Sequence, residues 1–220
     1  IRFLILLSII ILLSGSSEAA TERDPEYSFS TTDSTVYSTI SDDGRYMAAI
    51  DNGGKIYYYD VYNHTELWNH DTGTTQLLDL DMSADGGYIV ASTGYVSDGA
   101  SIYLFDSNLT GDEELWKSTL ASYEIYDVSI SANGKTIAVS GGSSGGYRLY
   151  VFDISSSTPL WQTSDDCDSY CVATNDVSSD GRYIVTQSNR HIISGFSVSS
   201  PTPLWTKSVY MCCEESREEN

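Results

Sequence analysis

Four cysteines carry the most pointed chemistry in this 220-residue chain. Cys167 and Cys171 stand four residues apart among Asp165, Asp166 and Asp168, and Cys212 and Cys213 are adjacent. A Cys167–Cys171 disulfide is feasible where the loop turns back, because bonded residues need Cα atoms about 4.4–6.8 Å apart. Pairing with Cys212 or Cys213 stays open beside it. No histidine lies near enough to complete a zinc set, so no metal is expected. The stretch from Asp79 to Gly86 superficially suggests calcium but lacks the downstream Glu and spacing of an EF-hand loop. Asp79 and Asp81 fit better as outward positions of an alternating strand, and Asp85 as a turn residue. His64, His70 and His191 are scattered, and no Ser/His/Asp set can be built from them. No catalytic residue is assigned. Asn63-His64-Thr65 and Asn108-Leu109-Thr110 are glycosylation sequons, available only if the chain is exported.

Export is what the first residues imply. Phe3 to Leu13 is an 11-residue apolar run broken only by Ser8, preceded by Arg2 and followed by small residues ending at Ser17 and Ala19. This is the pattern of a signal peptide over residues 1–19. The run is short for a span of roughly 20 apolar residues, although an uncleaved anchor would be the one route to a membrane. An extracellular or cell-surface protein is therefore expected, and the cysteines read as disulfide formers. Net charge is −20, with pI near 4.1. Nucleic acid is excluded as a partner on this ground, since its binding rests on Lys and Arg neutralising phosphates. Anionic membrane surfaces are disfavoured likewise, and a solvated acidic exterior is the simple reading.

The elements that must position these residues repeat four times. Asp43-Gly44, Asp85-Gly86, Asn133-Gly134 and Asp180-Gly181 each follow a serine, at Ser41, Ser83, Ser131 and Ser178. Downstream lie Leu67-Trp68, Leu115-Trp116, Leu160-Trp161 and Leu204-Trp205. Serine-to-serine steps are 42, 48 and 47 residues, and Trp-to-Trp steps are 48, 45 and 44. Periods of roughly 40–50 residues with several short strands per unit indicate a propeller array.

Within the first unit, Thr35–Ile40 and Tyr46–Ile50 alternate or are β-branched, and Ser41-Asp42-Asp43-Gly44 turns between them. Ile56-Tyr57-Tyr58-Tyr59 predicts a third strand and Glu66-Leu67-Trp68 a fourth. The counterparts of that third strand, Ile102–Asp106, Leu149–Asp153 and Ile193–Ser197, are mostly apolar on both faces, as strands sandwiched between blades must be. The units are expected at about 24–70, 76–118, 124–163 and 172–207. Residues 209–220 are left as the start of a further blade or a tail.

The Ser-x-Asp-Gly turn, the Ile/Leu-Tyr-x-Phe-Asp strand and the Leu-Trp strand together resemble WD40-like and PQQ-like propeller repeats, most closely their exported prokaryotic versions. The likeness runs from about Pro25 to Lys207. The Trp on the fourth strand is as in PQQ-type repeats, while the Gly-His and Trp-Asp dipeptides of WD40 repeats are absent. The resemblance implies an all-β propeller of four-stranded antiparallel blades. In PQQ-dependent alcohol dehydrogenases an adjacent-cysteine disulfide packs against the quinone, a part the resemblance would offer Cys212-Cys213. No catalytic Asp or calcium ligands can be placed here, and no cofactor is expected.

Glu26-Tyr27 falls in the fourth-strand position ahead of the first unit, yet the fourth unit already has Leu204-Trp205. A closed four-blade ring would have one strand too many, so an open arc is expected. Together with the opening Ile1, this points to a piece of a longer propeller of seven or eight blades. The function expected is a non-catalytic scaffold binding a protein or glycan. The alternative is a quinoprotein-type oxidoreductase or other propeller enzyme. The propeller is a superfold and does not itself decide between them.

Overall fold

The computed structural model describes residues 26–75, 77–94, 99–107, 113–120, 124–143, 146–163, 173–188 and 192–208. Every regular element among them is a strand. The first sheet runs β1 (Thr35–Ile40), β2 (Tyr46–Asp51), β3 (Lys55–Asp60) and β4 (Thr65–Asp71). The second is β5 (Leu77–Met82), β6 (Tyr88–Thr93), β7 (Ala100–Asp106) and β8 (Glu114–Leu120). The third is β9 (Glu124–Ile130), β10 (Thr136–Ser143), β11 (Gly146–Asp153) and β12 (Trp161–Gln162). The fourth is β13 (Ala173–Val177), β14 (Tyr183–Ser188), β15 (Ile192–Ser197) and β16 (Trp205–Ser208). Each sheet is an antiparallel meander in chain order. These are four blades of an open propeller.

The repeated turn explains itself in hydrogen bonds. Ser41 Oγ donates to Asp43 Oδ1 at 2.7 Å, Arg45 N donates to the same oxygen at 2.9 Å, and Tyr46 N donates to Ser41 Oγ at 2.9 Å. The Gly44 N–H closes the turn on Ser41 O at 2.8 Å, with Gly44 at φ 71°. The same lock recurs at Ser83/Asp85, Ser131/Asn133 and Ser178/Asp180. Only an acceptor oxygen is needed two residues after the serine, which is why Asn133 substitutes for Asp. Glycine is needed next because its φ is positive.

Packing between blades buries β3, β7 and β11 on both sides. Ala48, Ile50, Ile56 and Tyr58 of blade 1 meet Leu80, Met82, Ile89 and Phe105 of blade 2. Val90, Ile102 and Leu104 meet Ile125, Ile137 and Phe152 of blade 3. Ala138, Leu149 and Val151 meet Ile184 and Phe196 of blade 4. Burying each such Phe or Tyr contributes roughly 1.5–3 kcal/mol. The outer-strand tryptophans of blades 1, 2 and 3 reach the next blade. Trp68 lies 5.3 Å from Phe105, Trp116 5.7 Å from Phe152 and Trp161 5.9 Å from Phe196. The Trp116 and Trp161 indoles donate to the Ile154 and Val198 carbonyls at 2.8 and 2.6 Å.

Residues 27–34 form no strand and remain on blade 1 rather than pairing with β16. Phe29 packs at a tilt against Tyr59 with ring centroids 4.2 Å apart, Tyr27 stacks on His64 at 4.2 Å, and Thr32 N donates to Tyr57 Oη. Phe29 thus does at Tyr59 what a preceding blade's tryptophan does at Phe105, Phe152 and Phe196.

Candidate functional site

Two places concentrate polar chemistry. The first is the row of innermost strands, where the alternation of β5 corrects the expectation for Asp79 and Asp81. They do not point outward to solvent. Asp79 Oδ2 accepts from the Val128 N–H and Asp81 Oδ2 from the Ile130 N–H, both at 2.8 Å, so β5 is latched to the edge of β9. Asp127, in the position of Asp79 one blade on, accepts from the Asn175 N–H and latches β9 to β13. An inner strand has one edge without a ladder partner, and these carboxylates supply acceptors to its free amides.

Burial raises the carboxyls of Asp79, Asp81 and Asp127 above the usual carboxylate range, against the pull of the amides they accept from. Asp81 is pushed up to about 6, the charges of Asp79 and Asp176 adding to burial. Asp127 is pushed up to about 7 by burial, the neighbouring charges of Asp79 and Asp81 adding to it. Asn175 completes this inner network, accepting from Ser129 Oγ at 2.6 Å and donating to Ser140 Oγ at 2.8 Å. Ser92 sits opposite Asp79 as Ser140 sits opposite Asp127. The position of Asn175 is Val128 one blade earlier, and the fully buried Ser92 hydroxyl has no partner among the described residues. Among those residues no group of three or more His, Cys, Asp or Glu could hold a metal ion.

The second place is a surface cleft of about 520 Å³ on blade 1, lined by Asp43, Gly44, Arg45, Val61, Tyr62 and Asn63. The turn lock fixes its first wall. Its second is the β3–β4 loop, where Asp60 accepts from Asn63 N and Nδ2 at 2.8 and 2.9 Å. Arg45 lies 3.6 Å from Asp60 and 5.1 Å above the Tyr46 ring. Hydrogen bonds from the Arg45 and Asn63 amides hold Asp43 and Asp60, respectively, below the usual carboxylate range. Tyr62 is 83% exposed.

The cleft's counterparts on other blades are filled. An added Cβ on Gly86 would lie 2.7 Å from the Tyr46 ring, on Gly134 2.7 Å from the Tyr88 ring, and on Gly181 2.8 Å from Thr136 Oγ1. The positions of Val61 on blades 3 and 4 are Ile154 and Val198, whose carbonyls take the tryptophan indoles. At Gly44 an added Cβ meets nothing within 4 Å. The cleft is the socket that a preceding blade fills elsewhere.

Of the residues singled out from sequence, Asp43, Gly44, Asp85, Gly86, Asn133, Gly134, Asp180 and Gly181 form the turns. Trp68, Trp116 and Trp161 join blades. Trp205 is 48% exposed and lies over Gly195 of its own blade. Asn63 lines the cleft. Asn108, Cys167, Cys171, Cys212, Cys213 and His191 lie outside the described residues. The inner latches, Phe29 and the cleft were not singled out. Compared with known proteins, the chain matches no family model and no curated protein.

Proposed function

We propose that this chain is an exported, non-catalytic scaffold that binds a protein or glycan, and that the blade 1 cleft is its contact site. The observation that carries this is the open socket at Gly44. It is walled by rigid turns and rimmed by an exposed Tyr62 face and the half-exposed guanidinium of Arg45. An aromatic face with a planar donor beside it suits a sugar ring or a polar peptide edge. Loops held by a rigid sheet are where binding usually resides.

The test is capture from extracellular material on immobilised chain, wild type against Tyr62→Ala. Retention by the wild type that falls about tenfold in Tyr62→Ala supports the reading. Alcohol-dependent dye reduction after reconstitution with PQQ and calcium, lost on changing Cys212 and Cys213 to Ser, would replace it with the quinoprotein reading.

A further inference from the structure

The faces at the two ends of the described arc carry the counterparts of the two sides of the interface that joins its blades. Inside the chain that interface is built three times from the same positions. At the rim, a backbone ladder crosses from blade to blade. Asp42 N donates to Ala84 O, Ala84 N to Ala132 O and Asn133 N to Ser179 O, at 2.9, 3.1 and 3.2 Å. Its loose ends among the described residues are the blade 4 turn, Ser179-Asp180, and the Asp42 carbonyl. Next inward, the residue two after each turn glycine leans on the following blade's turn glycine, as Tyr46 does on Gly86. The loose ends here are Tyr183, 54% exposed, and the open Gly44. Two residues further along β2, β6 and β10 come Ala48, Val90 and Ala138, all 0% exposed, while their counterpart Val185 on blade 4 is 43% exposed. On the receiving side Met82, Ile130 and Val177 are buried, while Ile40 is 56% exposed. Asp81 latches the Ile130 amide, and the corresponding pair at the ends is Asp176 and the Ile40 amide.

We infer that the partner of the blade 1 cleft is a second copy of this chain, whose blade 4 docks there head to tail. This rests on the binding-scaffold reading and names its occupant. Tyr183 of the second copy enters the socket at Gly44, Val185 covers Ile40, and Asp176 accepts from the Ile40 N–H. Two arcs joined at both ends make an eight-blade ring with a two-fold axis along its centre, within the usual propeller range of four to eight. The outer position is already satisfied without Trp205. Phe29 occupies the tryptophan's place at Tyr59, and Gly195 leaves a gap over which the Trp205 indole folds on its own blade. The strand exposed along all its residues, β16, gives way there.

The experiment is sedimentation velocity on the full chain and on Ile40→Asp and Val185→Asp, alone and mixed. Both substitutions replace exposed side chains, and circular dichroism confirms that each variant folds. The wild type is expected at twice the 24.1 kDa of one chain, and each variant alone as monomer. The mixture is expected to recover dimer, because one of its two joints then has both faces intact. A dimer lost in only one variant, or not recovered on mixing, overturns the head-to-tail joint. A wild-type monomer that still captures extracellular material through Tyr62 overturns the second-copy partner and leaves the scaffold reading standing. Loss of both overturns both.

Discussion

Asp85 and Asn133 occupy equivalent places, and each accepts the same two bonds from a serine hydroxyl and an amide. Asp85→Asn should therefore leave stability within about 0.5 kcal/mol, while Asp85→Ala, which strands both donors, should cost about 1–2 kcal/mol. Urea unfolding of the two variants checks this, and equal losses would show the oxygen to be dispensable. Ser92 presents the opposite case. Its hydroxyl is fully buried and lacks a partner, so Ser92→Ala should stabilise the chain by about 1 kcal/mol in the same measurement. Destabilisation would mean that the hydroxyl is bonded. The turn serines, acidic residues and glycines were legible because a local lock demands fixed residue types at fixed spacing. Ser92 was not, since its isolation depends on Val128 standing, one blade on, where blade 4 has Asn175.

At the level of strands, alternation identified which residues of β5 share a face but not what that face meets. Asp79 and Asp81 read as solvent-facing because acidic residues usually are. The edge amides of β9 that claim them lie 49 positions away. Phe29 was hidden for a related reason. It stands 12 residues before Ser41, whereas Trp68 stands 15 before Ser83, so it falls out of register although it fills the same place.

The latches also set a pH dependence. Asp79, Asp81 and Asp127 bind a proton more tightly folded than unfolded, so from about pH 4 to about 7 the folded chain holds more protons and stability falls as pH rises. Asp43, Asp51, Asp60, Asp153 and Asp180 are lowered, so their contribution is lost only as pH falls below the usual carboxylate range. Thermal stability should accordingly peak at about pH 4 and decline from there to about pH 7. Asp127→Asn mimics the protonated carboxyl, removing the charge while its amide oxygen still accepts from the Asn175 N–H. It should raise the melting temperature at pH 7.5 by about 2–4 °C, the effect of ~1 kcal/mol in a domain of this size, and flatten the profile. A profile rising steadily from pH 4 to 8 would refute the raised carboxyls.

Across the whole molecule, one joint is made three times with varying strength. Blades 2 and 3 are latched by Asp79 and Asp81, and blades 3 and 4 by Asp127 with Asn175. Between blades 1 and 2 the equivalent positions are Tyr37 and Thr39, with no carboxylate to offer. That the chain forms an open four-blade array was legible from its periodicity. The cleft was not, because it arises from the lack of a neighbour among the described residues on one side of blade 1 and has no residue pattern of its own.

The claim underlying all of this is that carboxylates of one blade hold the inner-edge amides of the next. Residue-resolved amide exchange by NMR tests it directly. The Val128, Ile130 and Asn175 amides should exchange at least about tenfold more slowly than Leu80, which sits in the same position as Val128 but faces blade 1. Asp79→Ala should speed Val128 alone among the three, leaving the core amides of β10 unchanged. Exchange at Val128 and Ile130 as fast as at Leu80, or indifferent to Asp79→Ala, would contradict the account.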